Sequence, residues 1–93
     1  MLNIDQVAHD TAAAVVQVQG YQKLVDIAKA QVNSLKQIGD LIRQRNDAGA
    51  SSLSDVVQTD TRVEGAQSTL LQYQAALQRW KATLATYIGI GRH

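Results

Sequence analysis

Apolar residues recur every seven positions along nearly all of this chain, and the beat is interrupted once. From Ile4 to about Arg45 one row holds Val18, Val25 and Val32, and a second row, offset by three, holds Val7, Ala14, Tyr21, Ala28, Leu35 and Ile42. Rows offset this way lie on one stripe of an α-helix, and their persistence over about six heptads is a coiled-coil signal. Leu24, Ile27, Ile38 and Leu41 lie beside the stripe and widen it, which predicts a helix that touches more than one neighbour. The second half repeats the pattern, with Val56, Val63, Leu70, Leu77 and Leu84 in one row and Ala66, Tyr73, Trp80 and Tyr87 in the other. Each helix then spans roughly 35–42 residues, or about 50–60 Å.

The interruption is RNDAGASSLSD, from Arg45 to Asp55, in a chain that contains no proline. Gly49 suits the left-handed position just past a helix end. Ser52 and Asp55 have capping-box spacing, so each side chain is placed to satisfy the other's backbone N–H at a helix start. Arg43 and Arg45 fall in the last turn of the first helix, where the helix dipole favours cations. A helix stop followed at once by a helix start leaves only a tight reversal. The pattern therefore predicts an all-α fold, a long antiparallel two-helix coiled-coil hairpin with one tight central turn. The first helix is placed at about 4–46, the turn at about 47–51 and the second helix at about 52–89. Gly20, Gly39 and Gly65 fall inside these helices, each at a cost of up to ~1 kcal/mol relative to Ala. At Gly20 this reads as a tolerated loss; Gly39 and Gly65 fit that reading or a close approach or bend.

Composition removes several functions. The net charge is +1 with 18% charged residues, so no basic footprint points to nucleic acid. Phe is absent and aromatics are few, which is poor material for a compact globular core. Twelve Gln outnumber the eight Asp and Glu, a weakly charged polar surface that fits a helix inside an assembly and any soluble helix alike. Without Cys there are no disulfides or thiolate metal sites. The longest apolar run, AAAVV from Ala12 to Val16, is far short of the ~20 residues of a spanning helix, and there is no signal peptide. Chemistry is equally sparse. His9 with Asp5 one turn before it reads as an exposed pair rather than a metal site, and Asp60 with Glu64 as a solvated face rather than paired catalytic carboxylates. No phosphate loop and no nucleophile–base arrangement is present, so neither catalysis nor a cofactor nor a resident metal is expected.

The turn carries a resemblance. Arg45, Gly49, Ser52, Asp55 and Val56 follow a pattern that resembles the periplasmic tip of TolC-like outer-membrane efflux and secretion channels. The following helix, VEGAQSTLLQYQAALQRWKATLATYIG ending at Gly89, is similar throughout, and the likeness covers roughly Val15 to Gly89. Such channels are homotrimers whose protomers each supply two repeats of β-strands and long helices. The resemblance implies that this chain is one helical hairpin of the periplasmic tunnel, without its strands. GYQKLVDIAKAQV, from Gly20 to Val32, looks more like the first repeat. It further implies a tip that meets a periplasmic adaptor working with an inner-membrane transporter, in drug efflux, type I secretion or metal export. Arg45, Gly49, Ala50, Ser51, Ser52 and Asp55 inherit the partner-binding role.

On this reading Met1 is an added start, His93 is either native or added, and the piece alone conducts nothing. Its uncovered apolar stripe predicts self-association, as two hairpins in an antiparallel four-helix bundle. Two alternatives stay open: the hairpin of a periplasmic adaptor, whose turn is also rich in Gly and Ser, and an autonomous coiled-coil oligomerisation module.

Overall fold

The computed structural model describes residues 3–92; Met1 and His93 lie outside the described residues. Helix α1 runs Ile4–Asp47 and helix α2 runs Leu53–Gly91, with no strand among the described residues. The fold is all-α, an antiparallel two-helix hairpin with one tight turn. The non-helical break falls at 48–52, one residue later than the 47–51 placed from sequence, and α2 continues past Gly89 to Gly91. Asn3 caps α1, its Oδ1 accepting from the backbone N–H of Asp5 at 3.0 Å and of Gln6 at 3.3 Å.

The helices form two compact units. The unit around the turn is Asp26–Gln72. Here Ala28 and Val32 are buried, while Leu35 and Ile42 of α1 and Val56, Val63, Ala66 and Leu70 of α2 are half-buried. The row that holds Val32 continues through Gly39 and Asn46, and the row that holds Ala66 extends back to Thr59, all of them buried or half-buried. A Cβ built on Gly39 would sit 3.3 Å from Thr59 Cγ2, so the backbone of α1 lies close against α2 there. Thr59 is only 6% exposed, and its hydroxyl donates to the Asp55 carbonyl at 2.9 Å, which fixes the rotamer. On one flank of the seam Arg43 donates to the Asp60 carboxylate across the two helices, with Asp40 also in reach at 3.8 Å.

The second unit joins the chain up to Val25 to the chain from Tyr73. Ala14 is fully buried, and Val25, Ala76 and Leu77 nearly so. The Tyr21 and Tyr73 rings meet at a centroid distance of 6.4 Å and an angle of 53°, a tilted contact that suits the aromatic quadrupole. Trp80 and Tyr87 continue the Tyr73 row and are half-buried. Ala76, Thr83 and Ile90 add a third row on α2, which the two-row apolar pattern does not contain.

Every residue of the two α1 rows is buried or half-buried. The four residues that widen the stripe are uncovered: Leu24 is 38% exposed, Ile27 62%, Ile38 48% and Leu41 55%. One partner helix covers one line of side chains and leaves the shoulder bare.

The glycines now separate. A Cβ at Gly20 or Gly65 would meet nothing within 4 Å, whereas at Gly39 it meets a side chain that is held in place. Gly20→Ala and Gly65→Ala should therefore each stabilise the hairpin by up to ~1 kcal/mol. Gly39→Ala should lose most of that gain, and Gly39→Leu should cost about 1–3 kcal/mol through overpacking. Urea titrations followed by circular dichroism check all four; equal behaviour of Gly39 and Gly65 would refute the close approach.

Candidate functional site at the hairpin tip

The tip is built by a helix stop, a reversal and a helix start that share hydrogen bonds. Gly49 has φ of 79°, the left-handed conformation, and its N–H donates to the Asn46 carbonyl at 3.0 Å. The carbonyl of Arg45 accepts from Ala50 at 2.7 Å and from Ser51 at 3.3 Å, so the last carbonyls of α1 are occupied by the turn itself. Asn46 adds a side-chain link, its Nδ2 donating to the Ser51 carbonyl at 2.9 Å.

Helix α2 then begins with a reciprocal cap. The Asp55 N–H donates to Ser52 Oγ at 3.2 Å, and the Ser52 N–H donates to Asp55 Oδ2 at 3.4 Å. The Asp55 carboxylate thus lies at the positive end of α2. Arg45 occupies the last turn of α1. Arg43, which the sequence places beside it at the helix end, is instead drawn across the seam to Asp60. A guanidinium within reach of a carboxylate gains more than from the diffuse end of a dipole.

Of the six residues expected at the tip, Arg45, Gly49, Ala50, Ser52 and Asp55 are exposed and Ser51 is half-buried. The structure brings all six into one knuckle between Arg45 and Asp55. Asn46 and Thr59 belong to the same construction, although both are polar and fall outside an apolar pattern. Their signal in the sequence is positional, because each stands one heptad beyond a seam residue.

Elsewhere the pairs weighed as chemistry resolve into surface contacts. His9 Nδ1 lies 3.4 Å from Asp10 rather than against Asp5, and Asp10 also accepts from Gln6 at 2.8 Å. Asp60 is engaged by Arg43. No group of three or more His, Asp or Glu among the described residues is placed to hold a metal ion. The tip is a polar knob at the end of two helices, held together by its own hydrogen bonds.

The sequence profile of outer membrane efflux proteins matches residues 3–90, both helices and the turn between them. The chain belongs to the outer membrane efflux protein family. No curated protein and no solved structure matches it. The family consists of transport channels of the outer membrane. No helix among the described residues of this efflux-family hairpin is long and apolar enough to cross a membrane.

The caps set two expectations for stability. Ser52→Ala should cost about 1 kcal/mol by removing the cap of α2. Gly49→Val should cost more than ~1 kcal/mol through strain at positive φ. Thermal and urea melts of the two variants test this, and a neutral Gly49→Val would mean that the turn tolerates another backbone path.

Proposed function

We propose that this chain is a periplasmic tunnel hairpin of a trimeric outer-membrane efflux or type I secretion channel, that its tip docks a periplasmic adaptor working with an inner-membrane transporter, and that it does no catalysis. Beyond family membership, the observation that carries the reading is where the uncovered aliphatic residues lie in the unit around the turn. Ile27, Ile38 and Leu41 are exposed on α1, and Leu53, Val57 and Leu71 on α2. Ile38 shares a row with Arg45, on one face of the hairpin; Leu53 shares a row with Asp60, whose pairing with Arg43 marks the other face.

The bare shoulders of the two helices therefore face opposite ways. Leu41 and Val57 stand equally far from Gly49 along the chain, as do Ile27 and Leu71. A neighbour with its tip at the same end thus meets the shoulder of α1 with its own α2, aliphatic against aliphatic at equal heights. The α1 shoulder between Ile27 and Leu41 also holds Ala30, Gln31, Ser34 and Gln37 and no charge, the depletion expected of an interface centre. Contacts of this kind are head-to-tail and make a ring when the rotation between neighbours closes, the geometry of a multi-hairpin tunnel.

The tip is the part such packing leaves free, and this supports its role in docking. Charge reversal of Arg45 or of Asp55 in the full-length channel should weaken adaptor binding or disturb closure while trimers still form. Adaptor pull-down, transport assays and native mass spectrometry report the three properties; unchanged binding and transport would count against the docking role. The hairpin alone should self-associate with rising concentration, first as a four-helix bundle of two copies whose neighbouring helices run antiparallel. Each covered aliphatic side chain contributes on the order of 1.5–3 kcal/mol before association costs. Sedimentation equilibrium measures this, and a monomer at high concentration would refute it.

A further inference from the structure

We infer that the recess beside the turn, between Arg45 on α1 and Arg62 on α2, receives a carboxylate side chain from the helix of the docking partner. The inference rests on the docking role proposed for the tip and adds to it the chemistry of the partner's contact and a residue, Arg62, that sets it.

The recess holds about 260 Å³, and Ile42, Asp55 and Gln58 line it beside the two arginines. That is below the ~300–1,000 Å³ of small-molecule sites, so it suits one side chain of a partner rather than a transported compound. Two guanidinium groups line it against a single carboxylate. Neither Arg45 nor Arg62 has an ion-pair partner among the described residues, and Asp55 spends one oxygen on the N–H of Ser52. The contrast with Arg43 is informative, because that guanidinium, on the other flank of the same seam, is held by Asp60 with Asp40 nearby.

Arg45 has a reason to be cationic without any partner, since it ends α1. Arg62 has none: it stands two turns and more inside α2, where no helix end needs a cation and no carboxylate answers it. Two unmatched guanidinium forks beside one recess are complementary to a carboxylate, which accepts bidentate hydrogen bonds from either. On the opposite flank the guanidinium is already engaged, Arg43 being held by Asp60.

The test uses the full-length channel and the purified periplasmic adaptor of the same organism. Arg62→Glu should weaken adaptor binding at least about tenfold, with trimers and helix content unchanged. Arg62→Gln should weaken it less, and Arg62→Lys should keep part of the affinity, because an ammonium lacks the fork. One Asp→Arg or Glu→Arg reversal on the adaptor's hairpin should restore binding to the Arg62→Glu channel. Normal binding by Arg62→Glu, alongside weakened binding by Arg45→Glu, would overturn the inference and leave the docking role standing. Loss of trimers in Arg62→Glu and Arg62→Gln would overturn it too, by assigning the recess to a neighbouring copy. A wild-type channel that does not bind the adaptor would remove the docking role and this inference together.

Discussion

Two helices that meet along one seam can bury only the side chains that point at each other, and the whole design of this hairpin follows from that limit. Among the described residues no large side chain is fully buried. The most enclosed positions are small or β-branched: Ala14, Val25, Ala28, Val32 and Ala76, with Leu77. Small residues let the helix axes approach, and Gly39 against Thr59 is the extreme case. Where rings enter, as at Tyr21 and Tyr73, the neighbouring heptad level of α1 shrinks to Ala14.

A seam this narrow fixes register poorly by itself, because sliding by one heptad presents nearly the same rows. The turn supplies what the seam lacks. Five residues, 48–52, separate the helices, and their backbone groups are tied to both: Arg45 and Asn46 hold the exit of α1, while Ser52 and Asp55 hold the entry to α2. Polar residues in the nearby seam act the same way. Asn46 ties the end of α1 to the Ser51 carbonyl of the turn, and Arg43 reaches the Asp60 carboxylate across the helices, a pair that a shifted register would break. The knuckle that sets the register is also the part displayed at the end of the helices, so one set of bonds serves the fold and presents the surface.

The helices and the turn were legible because each rests on local rules. Heptad rows, a left-handed glycine and a capping box are statements about residues a few positions apart, and Gly49, Ser52 and Asp55 act as those rules require. What sequence alone missed depends on pairing between distant residues. Local rules place Arg43 with the helix dipole, since nothing nearby in the sequence reveals that Asp60 stands opposite. Gly39 could not be told from Gly65 until the position of Thr59 was known. Thr59, Asn46 and Ala76 are seam residues that the two-row apolar pattern overlooks, two for polarity and one because it stands off both rows. At the tip the exposed residues were identified through a likeness to a family, and their hydrogen bonds show how the shape is held.

The uncovered shoulder is the feature that most separates this hairpin from a self-sufficient fold. A solitary two-helix protein would be expected to carry charge on the outer sides of both helices, as protection against association. Here, between Asp26 and Arg43, α1 concentrates its charges on one side of the seam, with Asp26, Lys29, Lys36, Asp40 and Arg43, and leaves aliphatic and uncharged residues on the other. Such a division weakens solubility and adds nothing to the seam within one hairpin. It becomes favourable only when a neighbour covers the aliphatic side and water keeps the charged one. In the tunnel proposed above, the cost of leaving Ile27, Ile38 and Leu41 bare in the isolated chain is the driving force for assembly. Because α1 and α2 bare themselves on opposite faces, that force selects a direction of packing as well as packing itself.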